Sequence, residues 1–63
     1  MNYQGELNTI TSTLNDVSTR LSTLVEGADD SLAGDIYTEL VAAERAIGTL
    51  LRRLNRVARR VEG

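Results

Sequence analysis

The chain has 63 residues and contains no proline, cysteine, histidine, tryptophan or phenylalanine. That inventory excludes a disulfide framework and removes the imidazole and thiolate groups on which most nucleophilic relays and transition-metal sites depend. Seven arginines and no lysine stand against nine acidic residues, for a net charge of −2. One domain is the most that this length allows. A chain this short buries only about 60% of its unfolded surface. It therefore needs a disulfide, a metal or a partner chain, and without Cys or His the partner chain is what remains.

The stretch from Met1 to Glu6 has no basic n-region and no apolar h-region, so no signal peptide is expected. No run of 18 apolar residues occurs, so no membrane span is expected either. The expected location is the cytoplasm.

Tyr3, Leu7, Ile10, Leu14, Val17, Leu21 and Leu24 are separated alternately by four and three residues. That is the period of the a and d positions of a heptad, and it predicts a first helix over about residues 3–26. Leu7, Leu14 and Leu21 take position a. Ser and Thr, from Thr9 to Thr23, are expected on the outer faces as a solvent surface. They are mediocre helix formers, so packing must hold this helix.

A loop is expected over about residues 27–30. Gly27 suits the left-handed position that follows many helices. Asp29, Asp30 or Ser31 can then cap the next helix through a side-chain oxygen. A later start, after Gly34 with Asp35 as the cap, is the alternative. The earlier start, near residue 31 with Gly34 inside the first turns, is the one expected.

The second helix is expected over about residues 31–62. Ile36, Leu40, Ala43, Ile47, Leu50, Leu54, Val57 and Val61 repeat the four–three alternation. Leu40, Ile47, Leu54 and Val61 fall at a, and Ile36, Ala43, Leu50 and Val57 at d. Tyr37, Leu51 and Ala58 at e and Ala46 at g widen the apolar arc, which suits a helix with two or more neighbours. A short loop folds the helices back antiparallel. The second helix should be longer by about 10–15 Å, and so either overhang or pack against something outside its own chain. The expected fold is all-α: one domain, residues 1–63, an antiparallel helical hairpin of two long helices that dimerises into a four-helix bundle.

Charge is segregated. Residues 1–44 hold eight carboxylates against Arg20, a net of −7, and residues 45–63 hold six Arg against Glu62, a net of +5. Acidic starts and basic ends suit the helix dipole, but the basic block is longer than one turn. Two second helices laid antiparallel would face acidic half to basic half. Glu39 and Arg53, both at g, are symmetric about Ala46, and Ala42 and Ala43 beside it let the backbones approach. The expected dimer interface is Ile36, Glu39, Leu40, Ala43, Ala46, Ile47, Leu50, Arg53, Leu54 and Val57.

Arg45, Arg52 and Arg59 at f, with Arg56 at c, form a stripe that could hold an anion, since guanidinium groups match phosphates. Against nucleic acid stand a pI near 4.9 and the lack of aromatics among these arginines. A solvated face that keeps a small bundle dispersed is the preferred reading. Residues 45–61 also read as a cationic amphipathic helix, but no Trp or Phe anchors it to a membrane.

Catalytic chemistry is not expected. A nucleophile would lack a His base, and a thin hairpin offers no cleft for converging carboxylates. Glu39 and Glu44 do not share a helical face, so they are not a metal pair, and the five glycines are too scattered for a phosphate loop. No cofactor is expected. Tyr3 and Tyr37 should cap opposite ends of the core. The expected function is a non-enzymatic structural or interaction module that self-associates and presents a surface to a protein partner. The alternative is a small nucleic-acid- or anion-binding regulator. No motif ties the chain to a family. Its length and hairpin plan alone resemble small dimeric bundle regulators of the ROP kind, which act on RNA, and a shared plan does not fix function.

Overall fold

Asn2 starts the first helix. Its side-chain Oδ1 accepts the Gly5 N–H at 3.0 Å, and its carbonyl accepts the Glu6 N–H at 3.1 Å. This is an N-cap in both senses, and the sequence reading overlooked it. The structure, a computed structural model, describes residues 2–62, so the terminal positions Met1 and Gly63 of the expected 1–63 domain lie outside the described residues. Helix α1 runs over Tyr3–Glu26 and helix α2 over Gly34–Glu62. The two pack against each other as a hairpin. The rod they form measures 48 × 15 × 15 Å.

The connection is longer than expected. It spans residues 27–33, and α2 begins at Gly34 rather than near residue 31. The cause is local. Asp29 Oδ1 accepts both the Ser31 hydroxyl at 2.6 Å and the Ser31 N–H at 2.9 Å, while the Leu32 N–H bonds the Asp29 carbonyl at 3.1 Å. These groups close a turn on themselves instead of capping a helix. The first helical bond of α2 then runs from the Tyr37 N–H to the Ala33 carbonyl. The later start moves the boundary toward the alternative reading, although Gly34 is itself helical. With 29 residues against 24, α2 exceeds α1 by about 7–8 Å, less than expected.

Gly27 differs from expectation as well. Its φ is −86° and ψ 0°, so the left-handed conformation is not used. A Cβ at Gly27 would stand 3.3 Å from the Thr23 carbonyl oxygen, which already accepts the Gly27 N–H at 3.0 Å. Close approach, not handedness, is what glycine supplies there.

The hairpin seam is formed by positions a and e, not a and d. Half-buried at these positions are Leu7, Thr11, Leu14, Ser18, Leu21 and Val25 on α1, and Leu40, Glu44, Ile47, Leu51, Leu54 and Ala58 on α2, joined on the flank of the seam by Ser22, Val41 and Gly48 of the b row. The expected outer placement of the hydroxyl residues therefore fails for Thr11, Ser18 and Ser22. Other hydroxyls behave as expected for exposed helix positions. Thr9, Thr19 and Thr23 donate to the carbonyl four residues earlier at 3.0–3.1 Å, a weak competitor of the helix itself.

Among the described residues none is fully buried. Two helices have only one line of mutual contact, so each seam residue is covered from one side. The exposed surface is 4931 Å², against about 4,000 Å² for a typical folded monomer of this mass. The radius of gyration is 14.7 Å, where about 10–11 Å is usual for 63 residues. The chain folds into a rod with a seam but without an interior.

Candidate association surface

Shifting the seam to a and e leaves the d rows of both helices outside it. Antiparallel helices wind in opposite senses when viewed down one axis. A row displaced to one side of the seam on α1 therefore meets its equivalent on the same side of α2. The d rows consequently share one face: Tyr3, Ile10, Val17 and Leu24 from α1, and Ile36, Ala43, Leu50 and Val57 from α2. The seven larger of these side chains keep between 38% and 62% of their surface exposed. The b rows share the opposite face, with Asn8, Asn15, Ser22, Val41, Gly48 and Asn55. One broad side of the rod is apolar and the other is largely polar.

The residues expected at a dimer interface divide accordingly. Leu40, Ile47 and Leu54 are half-buried in the chain's own seam, whereas Ile36, Ala43, Leu50 and Val57 are exposed on the d face. Glu39, Ala46 and Arg53 are also exposed, along the g row that borders this face. Tyr3 and Tyr37 remain 62% and 41% exposed, so within one hairpin neither closes off a core.

A polar contact crosses the seam. The Ser22 hydroxyl donates to Glu44 Oε1 at 3.3 Å, and both residues are half-buried. Glu44 thus turns into the hairpin while Glu39 stays outside it, and the two carboxylates remain on separate faces as expected. A carboxylate in an apolar seam favours the one register that gives it a donor. The sequence reading did not assign Glu44 this role.

The arginines are arranged differently from the expected stripe. Arg53, Arg56 and Arg60 line an open cleft of about 280 Å³ around Val57. Only Arg56 of the four expected anion-binding residues is among them. Arg45 and Arg59 lie exposed outside the cleft. Arg52 folds back along α2, where its Nη2 donates to Thr49 Oγ1 at 3.2 Å. A Cβ at Gly48 would meet Arg52 Nη1 at an ordinary 3.8 Å, so this pose does not depend on the glycine. Among the described side chains the ion pair is Asp16–Arg20 at 3.3 Å, well exposed on both sides. Such a pair contributes little. The three cleft guanidiniums have no carboxylate partner among the described side chains.

Folding back the chain also sorts charge along the rod. Glu26, Asp29, Asp30 and Asp35 gather at the turn end, and the arginines from 52 to 60 gather at the open end beside Glu6. At the turn, the ionisation of Asp29 is perturbed. The Ser31 hydroxyl bond, followed by the Ser31 N–H, holds its pKa below the usual carboxylate value. Among the described residues no helix is long and apolar enough to cross a membrane. The chain matches no protein-family model, no curated protein and no solved structure.

Proposed function

We propose that the protein is a non-enzymatic interaction module of the cytoplasm, whose hairpin pairs with a second copy through the d face to form a four-helix bundle. The assembled bundle then presents its outer surface to a protein partner. The observation that carries this reading is the apolar d face, drawn from both helices and left open in a hairpin with no fully buried residue among those described. The surplus exposed surface, about 900 Å² over a typical monomer, matches the roughly 800 Å² that each partner buries in a standard interface. Single exposed apolar residues need no explanation, but a continuous face of this size does.

Sedimentation equilibrium over the micromolar range tests the reading. A reversible monomer–dimer equilibrium is expected, with helicity and thermal midpoint rising with concentration. A stable, fully helical monomer across that range would sink it.

The Arg53–Arg56–Arg60 cleft favours one other reading, a small regulator that binds nucleic acid or another anion. Three unpaired guanidiniums around one opening could grip phosphates. The net charge of −2 weighs against it. A mobility shift with mixed nucleic acid at low salt decides this reading, and absence of any shift removes it.

A further inference from the structure

An apolar face alone does not choose between the ways two hairpins can stack. Two arrangements satisfy a two-fold axis lying between the d faces. With the axis along the rod, both turns lie at the same end, and each α2 covers the partner's α1. With the axis across the rod, the turns lie at opposite ends, and each α2 runs antiparallel along the partner's α2. Both bury the same rows, so hydrophobic area does not separate them.

Charge does. The turn end holds Glu26, Asp29, Asp30 and Asp35, and Glu39 follows one turn further along the g row. The open end holds Arg52, Arg53, Arg56, Arg59 and Arg60. With both turns at one end, the acidic groups of the two copies crowd together, and so do the arginines at the other end. With turns at opposite ends, each acidic end lies over an arginine end. Along the open side of α2, the g row reads Glu39, Ala46, Arg53, Arg60, acidic toward the turn and basic toward the open end, with alanine between them. Laid against its own reversed copy, that row is complementary, and like-charge contacts are avoided throughout.

We propose that the dimer is antiparallel with its turns at opposite ends, and that the Arg53–Arg56–Arg60 cleft of each copy receives the Glu39 and Asp35 carboxylates of the other. The cleft is open, borders the d face at Val57 and has no carboxylate partner among the described side chains of its own hairpin. Glu39 and Asp35 are exposed and likewise unpaired. The cleft is then the receiving half of a self-complementary contact. Its guanidiniums select the orientation of the bundle more than they add to its strength. This rests on the reading of the d face as the self-association surface.

The chain has no cysteine, so one introduced thiol labels one position. Ala33→Cys places a nitroxide on the exposed turn without changing charge. Pulsed electron-spin resonance on the dimer should give a label separation comparable to the 48 Å rod. A separation within about 20 Å, two helix diameters, would put both turns at one end and overturn the proposal. Charge reversal supplies the second arm. Glu39→Arg and Arg53→Glu should each weaken the dimer about tenfold at low salt, and much less at 1 M salt where charges are screened. The double variant Glu39→Arg/Arg53→Glu should recover most of the lost affinity. A dimer with short label distances, or without this recovery, overturns the orientation and leaves self-association standing. A wild-type chain that stays monomeric overturns both. A short oligonucleotide that binds the wild type, fails to bind Arg53→Glu and competes with dimerisation would assign the cleft to phosphates, and overturn the proposal in that way.

Discussion

The two broad faces of the hairpin are built from the same two helices, yet they differ in kind. The d face carries Tyr, Ile, Val and Leu along both helices, and the b face carries mainly Asn, Ser and Gly at equivalent heights. In the single chain the d face stays exposed along both helices, while Ser22, Val41 and Gly48 of the b face are half-buried. A hairpin needs its a and e rows to close, and it draws on the b-row Ser22 for the bond to Glu44, but it makes no demand on the d face. The apolar investment on one face alone is therefore surplus to folding the hairpin, and a second layer such as the proposed dimer would use it. The difference teaches that the d face is where so thin a chain would gain stability on the proposed pairing.

Leu50→Asp breaks the comparison most severely. It places a carboxylate in the centre of the d face, where a second layer would desolvate it without a partner. The expected outcome is loss of association by more than about a hundredfold, which corresponds to roughly 3 kcal/mol. Asn15→Asp adds the same charge at a similar depth on the b face and should leave the dissociation constant within about twofold. Sedimentation equilibrium on both variants gives the contrast. Equal effects would mean that the two faces are not functionally distinct.

Gly48→Ala acts on the folded hairpin and spares the d face. Gly48 lies in the middle of α2, half-buried on the b side, where an added Cβ meets only Arg52 Nη1 at 3.8 Å. Alanine there should stabilise the helix by about 1 kcal/mol, because a glycine in a helix interior costs that much in backbone entropy. Chemical denaturation at fixed protein concentration should show the gain, and the midpoint should keep its dependence on protein concentration. If the variant instead weakened assembly, the second copy would be packing on the b face.

The two helices and their hairpin pairing were legible in the sequence because a four–three spacing of apolar residues has no other good explanation. The assignment of the seam was not. Positions d and e both recur at three or four residues from a, so the spacing alone does not say which row meets the chain's own partner helix. Polar residues hid the answer, because Thr11, Ser18 and Glu44 occupy the e row that closes the hairpin. A reading that expects apolar seams passes over them. The start of α2 was missed for a related reason. Asp29 and Ser31 are good capping residues, but they are equally good at bonding each other, and the shorter loop of bonds won. The arginine cleft was missed because f positions are the most exposed on a helix wheel. The three guanidiniums that gather do so around Val57 from positions c and g, beside the apolar face rather than opposite it.

The smallest expected effect concerns the turn, which belongs to neither face. Asp29 has its pKa held down first by the Ser31 hydroxyl and then by the Ser31 N–H. Both bonds favour the ionised carboxylate in the folded chain. A lowered folded pKa stabilises the native turn above the unfolded value, near 3.8, and that contribution is lost as pH falls through the lower folded value. Ser31→Ala removes the larger cause and keeps the N–H. The Asp29 titration midpoint, followed by NMR, should move up toward the ordinary carboxylate value, and the acid sensitivity of the turn should diminish with it. At neutral pH the dimer should be unaffected, since the complementary contact runs through Asp35 and Glu39 on α2 and not through Asp29. A change in association at neutral pH would mean that the turn itself reaches the second copy. The division of the molecule would then be between its ends rather than between its faces.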